Sequence, residues 1–542
     1  MVEMKLLSSL EKVFPASDVV EAPLVLQALQ GETVSFQLAL RLKENQQIKV
    51  LPRVMGPIAA HVRLRQVVGV PVRMAHYPDG DADTLCSGAT GLYPDLLQEI
   101  RPQGLRLTNA WTTIWVDVST DALSAGTYSV TVQLQDGKGA TLSERSIPVE
   151  VLAAVLPPQK LLLTRWFHCD GLARLYRTEA FSEKHWEVIE NQLRTAVKHG
   201  MNMLLTPVHT PPLDTAVGHE RMTIQLVDVF RDGGVYRFNM EKLRRWIRMA
   251  KGCGITHFEV AHLYTQWGAK HAPKIMATVD GEYRRIFGWE TDAVCDEYRG
   301  FLAAYIPAIR QVFAQEGVAE SHIRWHISDE PNGAQLDSYL AAKRQVEDLL
   351  QGCIIMDALS NFEYYQQGIV QCPVVATDHA EPFLQAQVPD MWVYYCCVQY
   401  KKVANMFIAM PSSRSRVLGF QLFRNRAAGF LHWGYNFYNC MGSWYGVNPY
   451  LDTDADQGVP AGDPFQVYPG EDGLPEESIR LMVFSEAMAD LRACELLAEK
   501  KGRDYVEKLL DEAVGGTLSY DTAMSAEAIL ALRSRINREI MA

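Results

Sequence analysis

From about residue 160 the chain repeats one pattern, and this pattern constrains the fold more than any other feature. Eight short apolar runs recur: LLLTRWFH (161–168), MNMLLTPV (201–208), THFEVAHL (256–263), HIRWHIS (322–328), CIIMDAL (353–359), VQCPVVAT (370–377), MWVYYCC (391–397) and AGFLHWG (428–434). Each has the length of a strand. Between them lie stretches such as KHWEVIENQLRTAVKHG, EYRGFLAAYIPAIRQVFAQEG and LDSYLAAKRQVEDLL, whose apolar residues return at helical spacing. Gly200, Gly254 and Gly317 fall where those helices should stop. About eight β/α units over roughly 275 residues is the size of a (β/α)8 TIM barrel. A doubly wound open sheet is the alternative. The segment after the third run is long and rich in Trp and Tyr, and it reads as a large loop.

The flanks read differently. Residues 1–156 alternate apolar and polar residues in ETVSFQLALRL, WTTIWVDVS, GTYSVTVQLQ and RSIPVEVLAAVL, with turn signals between them. That pattern predicts a β-sandwich, closed by the stiff link Leu156-Pro157-Pro158. Residues 475–542 return to helical periodicity. The expected order is therefore an N-terminal β-sandwich (1–156), a TIM barrel (157–474) and a helical extension (475–542). A formal net charge of -12 argues against a nucleic-acid partner, which calls for a basic footprint. No run approaches the roughly 18–20 apolar residues of a spanning helix. The N-terminus MVEMKLLSSLEKVFPASD lacks the pattern of a signal peptide. Ten cysteines are scattered without a C-x-x-C pair, which predicts reduced, buried thiols and a cytoplasmic location.

The fourth run leads into RWHISDEPNG (324–333), where Asp329 and Glu330 are adjacent and Pro331 follows. Side chains alternate along a strand, so Trp325 and Ile327 face the outer helices while His326 and Ser328 face inward. Asp329 and Glu330 then stand at the C-terminal end of a barrel strand, where catalytic groups sit. Pro331 is expected to push Glu330 towards an extended conformation. The structural alternative is a helix cap by Ser328, Asp329 or Asn332.

In ordinary retaining glycoside hydrolysis two carboxylates about 5 Å apart flank the bond from separate strands. Neighbours on one chain diverge and suit substrate assistance better. The sugar's 2-acetamido oxygen attacks the anomeric carbon, one carboxylate steadies the acetamido N–H, and the other protonates the leaving oxygen. Repulsion and burial raise one pKa, as a general acid requires.

Around this pair the sequence resembles glycoside hydrolase family 123 and its DUF4091 relatives. The resemblance is carried by Glu32 to Gln37, HISDEP, the W-x-Y-x-C run at Trp392, Tyr394 and Cys396, GFLHWGYNFY (429–438), GDPFQVYPG (462–470) and ESIRLMVFSEAMADL (477–491). It departs at FSEAMAD, where the family more often carries R-E-G-I-E-D and a Gly in place of Ala487. The resemblance implies a retaining exo-β-N-acetylgalactosaminidase that releases terminal β-GalNAc from glycans or glycolipids without a cofactor. It puts the acetamido-orienting role on Asp329 and the acid/base role on Glu330.

Other residues join the candidate site. Tyr394, which shares a strand face with Trp392, is a candidate to align the acetamido carbonyl. Trp433 is a candidate floor for the sugar, and Asn436 a hydroxyl ligand. His262 and His326 are the preferred sugar contacts among six strand-end histidines, and Trp267 and Trp444 are candidate loop platforms. Histidines at strand ends, with FHCD (167–170), raise the rival of a metal-dependent hydrolase, although no H-x-H or H-E-x-x-H occurs. A non-catalytic glycan-binding barrel is the other rival. DTDADQG (452–458) looks like a calcium loop but has Gln457 where the EF-hand glycine belongs. The oligomeric state, a homo-oligomer included, is left open.

Overall fold

The computed structural model describes residues 2–331 and 333–542. The N-terminal region holds two five-stranded sheets. Along Gly126–Gln135 buried residues alternate with half-buried ones from Val130 on, because only one face of that strand meets the core. Val130, Val132, Leu134, Ile147 and Val149 of one sheet share a core with Phe36, Leu38, Leu40, Ile114 and Val116 of the other. The strand Thr33–Leu42 is buried on both faces. Its sheet has an outer face that turns away from water and docks on the rest of the chain through paired charges. Fully buried Arg65 bonds Asp117 at 2.5 Å and also Glu477, which accepts from His199 at 2.7 Å. Arg480 bonds Asp95 at 2.9 Å. Charges this deep persist only when paired.

Eight parallel strands then close a barrel: Leu162–Arg165, Met203–Thr206, His257–Val260, Ile323–Trp325, Ile354–Ala358, Cys372–Ala376, Trp392–Tyr394 and Gly429–His432. The last pairs with the first, Leu162 with Gly429, so no edge is left open. Met203, Leu205, Met356, Val374, Ala376 and Leu431 fill the interior, while Leu204, Phe258, Val375, Val393 and Phe430 face outward. Gly429 is glycine because a Cβ there would meet the Trp392 ring at 2.2 Å.

Long helices cover the outside only part of the way round, at Glu183–Lys198, Glu241–Cys253, Asp296–Gln315 and Leu336–Val346. After the fifth and sixth strands the α-helices are the short Phe362–Gln366 and Glu381–Gln385. The gap is closed by the C-terminal helix Ile479–Lys501, whose Val483, Phe484 and Leu491 share a core with Val375, Val393 and Phe430. Ser478 starts this helix by accepting from the Leu481 N–H.

The segment after the third strand is more than the expected loop. Ile275–Val279 and Glu282–Phe287 join the hairpin Asp228–Asp232 and Val235–Asn239 in a four-stranded sheet beside the barrel. Its strands are short, and three of the four, DVFRD, VYRFN and EYRRIF, carry charged residues that break up an apolar alternation. All ten cysteines are unpaired; Cys169, Cys440 and Cys494 are buried, six are half-buried, and Cys86 is exposed. The acidic DTDADQG loop is a docking point: Asp454 accepts from Arg73 and from the Met74 N–H. Among the described residues no helix is long and apolar enough to cross a membrane.

Candidate active site

Beyond Trp325 the chain leaves the strand geometry but stays tied to the loop 263–267. Leu263 and Tyr264 N–H groups donate to the carbonyls of His326 and Ile327, and Trp267 N–H donates to that of Asp329 at 3.1 Å. Ser328 Oγ donates to the Thr265 carbonyl at 2.8 Å. The next helical turn is the 3-10 segment Gly333–Gln335, which leads into the α-helix Leu336–Val346, so Ser328 and Asp329 lie too far upstream to cap it. Asn332, the third capping candidate, lies outside the described residues.

Glu330 is not extended, as Pro331 led us to expect. Its φ is 42°, in the left-handed region. Such a conformation costs a residue with a side chain about 1–3 kcal/mol and concentrates at functional sites. Here it sends neighbouring carboxylates to different walls. Asp329 Oδ2 accepts from Gln266 Nε2 at 2.8 Å, and Glu330 Oε1 accepts from the Tyr394 hydroxyl at 2.5 Å. Both carboxyls are pushed up from their ordinary values. For Asp329 the causes are burial and then the Glu330 charge, against the Gln266 amide. For Glu330 the cause is burial, against the Tyr394 hydroxyl.

The two groups open on a cavity of about 270 Å³ at the C-terminal mouth of the barrel. Trp166, Asp214, Gln266, Trp267, Ala358, Tyr394, Cys396, Cys397, Val398, Leu431, Trp433, Met441 and Val459 complete its lining. Trp433 is fixed by donation from its indole Nε1 to Asp463 at 2.8 Å. Trp267 is 43% exposed and stands at the rim.

Of the candidates read from sequence, Asp329, Glu330, Tyr394, Trp433 and Trp267 are thus brought to one cavity. The others are elsewhere. Trp392 faces inward as Tyr394 does, but it packs in the barrel interior against Gly429 and does not reach the lining. Asn436 is buried, and its side-chain carbonyl is consumed by the His168 N–H at 2.7 Å. His326 and His262 lie below the cavity, stacked at 4.3 Å. His326 is held by Glu259 at 3.1 Å and Asp357 at 3.5 Å. Burial opposes its charge, yet these carboxylates lift it to about 9. His262 is pushed well down by burial and by that neighbouring cation. Both histidines are buried outside the cavity lining, and the His326 charge is met there by its two carboxylate partners. Trp444 is exposed and packs at a 40° tilt on His219 outside the lining.

The FHCD pair is engaged by a cation that belongs to the chain. Arg221 bonds Asp170 at 2.6 Å and reaches His168 Nδ1 at 3.2 Å. Among the described residues no three His, Cys, Asp or Glu side chains are grouped to hold a metal ion.

Sequence reasoning missed Asp214 and Gln266. Gln266 takes the Asp214 N–H on its carbonyl and gives its amide to Asp329, so it couples the loops after the second and third strands. The available signal was an acidic residue in PPLDT, just beyond a predicted strand end.

Comparison with known proteins gives one family. Residues 166–497, more than half of the chain, match the family model "Glycoside hydrolase 123, catalytic domain". No curated protein matches. Among solved structures, a family 123 glycoside hydrolase from Clostridium perfringens, described for its hydrolysis of glycolipid glycans, superposes with a TM-score of 0.76 at 14% identity. The match covers 100% of this chain and 98% of that one. At this identity the likeness speaks for the fold alone. A β-glycosidase from Bacteroides vulgatus, 9% identical, covers 86% of this chain and 53% of its own with a TM-score of only 0.27, too low to argue from.

Proposed function

We propose, for a chain that belongs to glycoside hydrolase family 123 and is a glycoside hydrolase, a retaining exo-reaction that releases terminal β-linked N-acetylgalactosamine with the substrate's own acetamido group as nucleophile. The observation that carries this reading is the pair of consecutive carboxylates held apart by Gln266 and Tyr394 at the cavity. Two buried carboxyls so close do not readily ionise together. The Gln266 donor and the His326 cation both favour negative charge on Asp329. Burial raises both carboxyls, Asp329 the further; the proton used in the reaction is given to Glu330 because the family resemblance puts the acid/base role there.

In this scheme Glu330 protonates the glycosidic oxygen as the acetamido oxygen closes on the anomeric carbon. Asp329 accepts from the acetamido N–H while positive charge grows there. An oxazoline forms and the aglycone leaves. Glu330, now a carboxylate, takes a proton from the water that opens the ring with overall retention. Tyr394 has its hydroxyl beside this centre, and Trp433 offers an indole face to the apolar side of the sugar. The C. perfringens relative acts on glycolipid glycans, and we extend that substrate class to this chain.

The same reading takes residues 157–474 as a catalytic (β/α)8 barrel, with a β-sandwich (1–156) before it and a helical extension (475–542) after it. Ten unpaired cysteines support a reducing, cytoplasmic setting.

The test is release of p-nitrophenol from the β-GalNAc and β-GlcNAc glycosides, with EDTA controls and a thiazoline that mimics the oxazoline. Cleavage of β-GalNAc that survives EDTA and falls to the thiazoline is expected. No release of either sugar overturns the proposal.

A further inference from the structure

A third carboxyl shares the cavity with Asp329 and Glu330. Asp214 lies on the loop after the strand Met203–Thr206, is 8% exposed, and lines the same wall as Gln266. Its backbone is fixed on both sides: the N–H goes to the Gln266 carbonyl, and the C=O accepts from Ser443 Oγ at 2.6 Å. Its φ of 47° is left-handed, as at Glu330. Arg221, the cation whose charge acts on it, is bonded to Asp170 and to the Leu213 carbonyl. Among the described residues, buried Oδ2 of Asp214 has no hydrogen-bond partner.

A carboxyl oxygen buried without a partner lowers stability, and proteins retain such groups where a ligand completes them. The main chain here is held in a strained conformation by two hydrogen bonds, so the group is placed rather than left over. In the proposed reaction Asp329 serves the acetamido N–H and Glu330 the glycosidic oxygen. Asp214 shares Gln266 with Asp329 and faces the same cavity, so it is left to meet another part of the sugar.

We infer that Asp214 reads a ring hydroxyl of the terminal sugar through Oδ2 and so helps determine which sugar the enzyme takes. The inference rests on the proposed hexosaminidase reading. Burial, opposed by Arg221 and reinforced by Glu330 and Asp463, lifts this carboxyl to about 7, so it can serve a hydroxyl as acceptor or donor near neutrality.

The experiment measures kcat/KM of wild type, Asp214→Asn and Asp214→Ala on p-nitrophenyl β-N-acetylgalactosaminide and on analogues each lacking one hydroxyl away from the reacting carbons. One analogue should lose about 10- to 150-fold with wild type, the scale of a hydrogen bond to a charged group. Asp214→Ala should treat that analogue and the parent alike. Equal penalties in wild type and variant overturn the inference, because a merely structural role lowers all substrates together and leaves their ratios unchanged. A wild type that penalises no single analogue overturns it without any variant. A wild type that cleaves no parent glycoside overturns the hexosaminidase reading itself, and this inference with it.

Discussion

The Tyr394 hydroxyl donates to Glu330 Oε1 at 2.5 Å. The two residues stand 64 positions apart and meet because one ends the seventh barrel strand and the other turns back from the fourth in a left-handed conformation. This bond favours the carboxylate, against a burial that favours the acid. Glu330 is thereby held nearer the range in which it can both give and take a proton.

Removing the hydroxyl should therefore shift the pH profile in a definite direction. In Tyr394→Phe burial acts alone, the Glu330 pKa rises further, and the alkaline limb of kcat moves to higher pH. Activity should fall by about 10- to 150-fold, the scale of one hydrogen bond to a charged group. A pH–rate profile checks this, and an alkaline limb that stays or moves down contradicts it.

Glu330→Gln should cut turnover of unactivated glycans by about 10²–10⁴. It should spare much of the activity on aglycones that leave without protonation. Steady-state rates on a leaving-group series measure it. Equal loss at both ends of the series removes Glu330 from the acid role.

Asp329→Asn should cut kcat by about 10²–10⁴, as for one electrostatic stabiliser or acid–base partner. Affinity for a thiazoline should weaken with it, since the ring nitrogen loses its carboxylate. A near-native rate would refute the substrate-assisted scheme.

His326 carries a pH-dependent share of stability. Its folded value of about 9 lies above the ordinary value of about 6.5 that it regains on unfolding. Its contribution is therefore full below about pH 6.5 and is lost as pH rises through about 9. Thermal melts of wild type and His326→Gln should differ most at pH 6 and converge above pH 9. A constant gap across that range counts against a buried imidazolium.

Gly429→Ala should destabilise the barrel, because the added Cβ meets the Trp392 ring at 2.2 Å. Overpacking of this kind costs about 1–3 kcal/mol. Chemical denaturation measures it, and Trp392→Leu in the same chain should recover much of the loss by making room.

Periodicity alone announced the eight strands and the main helices, since a strand that faces a barrel interior on one side and helices on the other must be apolar in short runs. The strand-end position of Asp329 and Glu330 followed from the same rhythm, and both border the cavity. Other features depended on contacts between distant segments. The four-stranded sheet at Asp228–Phe287 was hidden by the shortness of its strands and the charges in three of them. The helix Ile479–Lys501 gives no local sign that it completes the wall behind Val393 and Phe430. His262, His326, Trp392 and Asn436 have the residue types of sugar ligands, yet the fold buries them outside the cavity lining, a depth that no local pattern records. Asp214 and Gln266 reach the cavity from two loops, and Glu330 turns by a left-handed φ that Pro331 did not foretell. What the sequence determined is what repeats along the chain. What only the tertiary structure decided is which side chains, brought together by barrel closure, face the cavity and which lie beneath it, because that depends on layer depth and backbone hand rather than on residue type.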